Sequence, residues 1–184
     1  MNPSDAELKQ HIHCRDLVNF RRAELDSNKI QGIPVAFSDK LILLRYIFDF
    51  HIDGLLLIQR SDITQWCCNE TDRFQRQLLE SENRLKKAYF KLKFNYSVIN
   101  FESFLKRLPA RKIAIVENES VEQQEFYIGR VLNTDQSVVK LHEFSGAGNW
   151  FEEPTEIATN QITSCQVDSN YIKFYERFFD RRSK

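Results

Sequence analysis

Leu55–Cys67 reads LLLIQRSDITQWC, and Thr155–Val167, near the other end of the chain, reads TEIATNQITSCQV. Each stretch carries an acid or amide followed by Ile-Thr, and then a short run before a helix-like segment: Asp62-Ile63-Thr64 in the first, Gln161-Ile162-Thr163 in the second. The flanking sequence extends the parallel. Before the first copy come DLVNFRRAEL (16–25), GIPVAFS (32–38) and KLILLRYIFDF (40–50), and then GLLLIQRSDITQW (54–66). These runs are short, apolar or alternating, and bounded by Asp26-Ser27-Asn28, Ser38-Asp39 and Asp53-Gly54. That pattern predicts a meander of antiparallel strands. The last third repeats it with RKIAIVENE (111–119), EFYIGRVLN (125–133), SVVKLHEF (137–144), a loop SGAGNWFEEP (145–154) and the closing TEIATNQITSCQV.

In both thirds a glycine (Gly32; Gly129) opens a strand that runs to a Ser/Thr-Asp turn (Ser38-Asp39; Thr134-Asp135). In both, an amphipathic segment follows the Ile-Thr strand: ETDRFQRQLLESENRL (70–85) and NYIKFYERFF (170–179). Two copies are too few for a solenoid, so the pattern predicts duplication of a compact unit. A single mixed sheet with coincidental similarity, or a strand-turn grammar common to β-proteins, are the competing explanations. Four or five short strands in roughly 50–60 residues suit a small closed barrel, in which no edge is left exposed.

The patterns DFHIDGLLLIQRSDIT (49–64) and FYIGRVLNTDQSVVKLHEFSGAGNWFEEPTEIATNQIT (126–163) resemble bacterial proteins in which a small SH3- or Sm-like barrel is duplicated. The resemblance implies a fold and carries no activity or functional residue. The expected architecture is mainly β with helices: two tandem small SH3/Sm-like β-barrels joined by a helical connector. The expected divisions are 1–70 for the first unit, 71–110 for a basic helical connector, and 111–184 for the second unit with a C-terminal helix.

In the middle segment, Phe74, Leu78, Leu85 and Leu92 fall near helical spacing and predict one buried stripe. Asn69 or Thr71 is placed to cap that helix. Asn100 is placed to cap a second helix with an apolar face of Phe101, Phe104, Leu105 and Leu108, closed by Pro109.

Lysine plus arginine equal aspartate plus glutamate at 26 each, so no global basic field is expected. The start MNPSDAELKQHIHC is polar and does not read as a secretory signal. The most apolar region is interrupted by Arg45, Asp49, His51 and Asp53, which argues against a membrane span and for a cytoplasmic protein. Cys14, Cys67, Cys68 and Cys165 have no CxxC spacing and are expected as reduced thiols.

Motifs for chemistry are sparse. His11, His13 and Cys14 offer part of a zinc set without a second ligand pair, so no metal is expected. His51 lies between Asp49 and Asp53, but nothing in the sequence brings it a nucleophile, so no catalytic residue is assigned and no cofactor is expected. SGAGNW lies between strands rather than before a helix, which argues for a hairpin loop over a phosphate cradle. Its aromatic and acidic end, Trp150, Phe151, Glu152 and Glu153, forms a candidate partner-binding rim.

Charge is unevenly spread. Arg84, Lys86, Lys87, Lys91, Lys93, Lys106, Arg107, Arg111 and Lys112 gather in or beside the middle segment, while the last third is acidic. The basic residues suit packing against the acidic part or solvation. Lys86, Lys87, Lys91 and Lys93, with Tyr89, Phe90, Phe94 and Tyr96 as stacking surfaces, are the candidate nucleic-acid contacts. The leading expectation is a non-enzymatic interaction module that binds a protein partner or itself, as monomer or homodimer. An RNA-binding accessory protein is the alternative and an enzyme of undefined type the third.

Overall fold

A computed structural model describes residues 3–86, 92, 94, 96–119 and 124–182. The strands are β1 (Val18–Arg22), β2 (Asp26–Phe37), β3 (Leu41–Phe48), β4 (His51–Gln59), β5 (Gln65–Cys67), β6 (Ile113–Glu119), β7 (Gln124–Thr134), β8 (Val138–Glu143), β9 (Thr155–Ala158) and β10 (Ser164–Val167). The helices described are α1 (Asp5–Cys14), α2 (Glu70–Ser81), α3 (Phe101–Lys106) and α4 (Asn170–Arg182), with a 3-10 turn at Thr159–Gln161.

All ten strands lie in one open antiparallel sheet, in the order β5-β1-β2-β3-β4-β10-β6-β7-β8-β9. This overturns the expectation of two tandem SH3/Sm-like barrels joined by a helical connector. Within each half the order is the same: fifth strand, first, second, third, fourth. The halves do not close on themselves, because the free edge of β4 is taken by β10. Ser164 to Val167 pair with Ile58 to Leu55 on one side and with Glu117 to Ala114 on the other. Side-chain alternation predicted the strands, but the backbone edge that each strand offers is the same for any sequence, so the partner of β4 was not readable.

The central strands are buried on both faces, which explains their nearly continuous apolar runs. Along β3 and β4, Leu41, Leu43, Leu55 and Leu57 pack with Val116, Val139, Leu141, Cys165 and Phe104. The alternating residues Ile42, Leu44, Leu56 and Ile58 pack on the opposite face with Leu8 of α1 and with Val18 and Phe20 of β1. The period of two thus divides one strand between two cores. In the second half, Ile113, Ile115, Ile128 and Phe144 receive Ile172 and Phe179 of α4.

Local signals set the helix ends. Ser4 caps α1 in a reciprocal box with Glu7, and Asn69 caps α2 in the same way with Asp72. The Asn100 side chain accepts the Ser103 N–H at 2.8 Å and starts α3, whose Phe101, Phe104 and Leu105 are buried. The expected α2 stripe is corrected. Leu79, not Phe74 or Leu78, is the apolar residue of α2 that is buried, against Leu17, Ile33 and Ile47. Two polar side chains set this rotation. Gln75 accepts from Gln31 of β2 at 2.6 Å, and Arg76 donates to the Cys14 and Arg15 carbonyls.

The Asp53-Gly54 turn is also corrected. The β3–β4 reversal falls at Asp49-Phe50, and Gly54 lies inside β4 with φ 83. A Cβ there would stand 2.2 Å from the Val167 carbonyl oxygen, so glycine permits the close approach of β4 to the end of β10.

Candidate functional site

The site begins with the turn that joins β3 to β4. Asp49 and Phe50 both have left-handed backbone, φ 45 and 59. Two-residue hairpin turns of this type favour Asn-Gly, because residues with a Cβ beyond Asn and Asp are disfavoured at positive φ. A phenylalanine held there costs about 1–3 kcal/mol. Its side chain is only partly buried: Phe50 is 43% exposed and its neighbour Phe48 is 64% exposed.

Across from the turn lies the C-terminal end of α2. Phe50, His51, Leu78, Leu79, Ser81, Glu82 and Arg84 line a groove of about 310 Å³. Leu78 is 39% exposed, and Phe74, one helical turn earlier on the same face, is 57% exposed. Of the stripe that periodicity placed in the core, Phe74 and Leu78 are therefore on the surface beside a concavity, while Leu85 and Leu92 pack partly buried against the core. The signal that could have found this is the competing α2 face: Asp72, Gln75, Arg76 and Leu79 form a mixed stripe whose polar members have partners on β1, β2 and the α1 terminus.

Groove polar groups are engaged locally. The His51 Nδ1–H donates to the Asp49 carbonyl at 2.6 Å, so Asp49 orients the imidazole through its backbone and not its carboxylate. The Ser81 hydroxyl donates to the Leu78 carbonyl at 2.8 Å. Glu82 and Arg84 supply both signs of charge at the rim.

The rim read from the second half divides in two. Trp150 is packed inward: its ring is 4.5 Å from Phe179 and 5.2 Å from Phe144, with the Arg130 guanidinium 4.7 Å above it. Phe151, Glu152 and Glu153 are exposed on the loop beyond it. The His142 ring N–H donates to the Phe151 carbonyl at 3.1 Å, which ties that loop to β8.

Of the candidate nucleic-acid contacts, Lys86 is exposed, while Lys87, Lys91 and Lys93 lie outside the described residues, as do Tyr89 and Phe90. Tyr96 is buried and stacks on Phe104 at 5.2 Å, and burial pushes its phenol up from the ordinary range. Lys112 is taken up by the second half, 2.5 Å from Asp168 and 3.0 Å from Glu176. Burial alone would lower its ammonium pKa; those two carboxylates outweigh this and raise it.

A second cluster lies at the other end of α2. A ring nitrogen of His11, a carboxylate oxygen of Asp16 and Sγ of Cys68 all lie within 4.8 Å of one another. His11 Nδ1 is 2.9 Å from Asp16 Oδ2. His13 does not join them, because a spacing of two on a helix puts it on the face opposite His11. Burial pushes the Cys68 thiol up, and the Asp16 and Asp72 carboxylates add to this. Sequence reading found His11 but not its partners: Asp16 is turned back to it by the left-handed reversal at Arg15, and Cys68 meets it only through the packing of α1 on the first half.

All four cysteines are free thiols. No helix among the described residues is long and apolar enough to cross a membrane. No family model, no curated protein and no solved structure matches the chain.

Proposed function

We propose that the chain is a non-enzymatic, cytoplasmic interaction module built from a repeated half, and that its Phe50–Leu78 groove holds an apolar segment of a partner protein. The observation that carries this reading is Phe50: an aromatic held in left-handed backbone, 43% exposed, that forms one wall of a concavity. Strain that the core does not require is commonly kept where a surface is used. A groove of about 310 Å³ lies at the lower bound of ligand pockets and takes one or two large apolar side chains. Exposed Phe74, one helical turn before Leu78 on α2, extends the apolar surface beside the groove, and aromatics of this kind are the usual anchors of protein interfaces.

The experiment places a photo-crosslinking phenylalanine analogue at Phe74, one helical turn from Leu78, in cells and identifies what is captured. The apolar segment of the captured protein is then titrated into the wild type and into Leu78→Asp. Specific capture of one polypeptide, with segment binding lost in the variant, is the expected result. Capture only of further copies of this chain, or equal binding by the variant, would overturn the reading. So would salt-sensitive RNA binding abolished by charge reversal at Lys86, Lys87, Lys91 and Lys93, the result that the RNA-binding alternative requires.

A further inference from the structure

We infer that His11, Asp16 and Cys68 form a zinc site that clamps the N-terminal helix to the start of α2. The three side chains supply imidazole, carboxylate and thiol, the three ligand types that zinc takes. A mixed nitrogen, oxygen and sulfur set disfavours calcium and magnesium, which take oxygen alone.

The geometry is close to what the ion needs. Zinc bonds of about 2.0–2.1 Å to nitrogen and oxygen and about 2.3 Å to sulfur place tetrahedral ligand atoms roughly 3.3–3.8 Å apart. The three atoms lie within 4.8 Å of one another, and His11 and Asp16 at 2.9 Å, so the separations bracket that arrangement. Three protein ligands leave a fourth position open for water or for a ligand from outside.

The backbone around the cluster is held in place. Arg15 ends α1 in left-handed conformation, φ 53, and this reversal turns Asp16 back so that its N–H donates to the His11 carbonyl at 3.0 Å. Arg76 of α2 fixes the same turn by donating to the Cys14 and Arg15 carbonyls at 3.1 and 3.0 Å. Cys68 sits immediately before the Asn69 cap of α2. The His11 and Asp16 side chains are 14% and 25% exposed, shielded from bulk water but reachable by an ion. On binding, the Cys68 thiol proton passes to solvent and the thiolate bonds to the metal.

The test titrates Zn²⁺ into the full chain by calorimetry, after chelator treatment and under reducing conditions. One ion per chain is expected, with affinity falling by more than about tenfold in Cys68→Ser and in His11→Ala and unchanged in His13→Ala. Far-ultraviolet circular dichroism shows whether each variant is folded. Co²⁺ added to the wild type provides a readout independent of the variants, a thiolate-to-cobalt charge-transfer band in the near ultraviolet. Zinc should also raise the Tm of the wild type and not that of Cys68→Ser. Absence of stoichiometric binding, absence of the cobalt band, or binding retained by Cys68→Ser would overturn the assignment.

Discussion

Thr64 and Thr163 make the same contacts at the same place in the two halves of the sheet. The Thr64 N–H donates to the Arg21 carbonyl at 2.8 Å, and its hydroxyl oxygen lies 3.1 Å from that oxygen and accepts the Ala23 N–H at 3.1 Å. The Thr163 N–H donates to the Glu117 carbonyl at 2.9 Å, and its hydroxyl oxygen lies 3.2 Å from that oxygen and accepts the Glu119 N–H at 3.1 Å. Each threonine leads directly into the short strand that pairs with the first strand of its half. The two Ile-Thr pairs thus answer to one structural need. It is met twice, as are the positions of Gly32 opposite Val18 and of Gly129 opposite Ala114.

The two threonines should differ in energetic weight. Thr163 is buried and its hydroxyl also donates to the Glu119 carboxylate at 2.8 Å, whereas Thr64 is in reach of water. Thr163→Val is expected to lose about 1–3 kcal/mol, because it leaves buried groups unpaired. Thr64→Val should lose less than about 1 kcal/mol, since water can replace the hydroxyl. Urea denaturation of both variants checks the order.

Arg22 joins the halves directly. Its two terminal nitrogens are each 2.7 Å from an oxygen of Glu119, and both side chains are buried. Removing one partner alone leaves a buried charge, so Glu119→Leu is expected to destabilise by about 3–5 kcal/mol. The double variant Arg22→Met with Glu119→Leu should recover most of that loss, because the attraction and the desolvation of a buried pair nearly offset each other. A double-mutant cycle measures this. Additive losses in the two single variants would show that the pair is not coupled.

Glu117 makes stability depend on pH in a defined direction. Burial raises its pKa; the Ser164 hydroxyl that donates to it works against this, nearby Glu119 adds to the rise, and Arg22 works against it. A carboxyl whose folded-state pKa lies above its unfolded value binds its proton more tightly when folded. Its stabilising contribution is therefore complete below the unfolded value of about 4.3 and is lost as pH rises through the folded value. Glu117→Gln keeps an acceptor for Ser164 and removes the charge. The variant should be more stable than the wild type at neutral pH, and the difference should close as pH falls below about 4. Denaturation midpoints across pH test this, and a difference that widens toward acid would contradict it.

Phe50 should show a conflict between stability and use. Phe50→Gly relieves the left-handed backbone and is expected to stabilise the chain by roughly 1 kcal/mol. The same change removes a groove wall and should weaken partner binding. Thermal denaturation reads the first effect and titration with the crosslinked segment the second. A destabilised Phe50→Gly would mean that the ring supports the fold.

Much of the fold was legible where neighbouring residues decide the outcome. Short apolar runs such as LILL and IAIV, bounded by turn residues, marked strands, the Asn69 and Asn100 side chains marked helix starts, and Pro109 followed the end of α3 closely. The failures are of another kind. The α2 spacing fitted two faces, and the contacts of Gln75 with the Gln31 side chain and of Arg76 with the Cys14 and Arg15 carbonyls chose between them. The β3–β4 turn was read at Asp53-Gly54, whose glycine is required instead by the nearby end of β10. The His11 set was invisible because its other two members come from a turn and from the start of a different helix.

The sequence by itself determined the repeated order of strands, their apolar content, and the caps of α2 and α3. These depend on period, propensity and side chains acting a few residues away. Only the tertiary structure decided that the halves share one open sheet through β4 and β10, that Phe74 and Leu78 face solvent, and that His11 meets Cys68. Backbone edges carry the same donors and acceptors whatever the side chains, so the partner of an edge is set by which buried surfaces fit together across the whole chain.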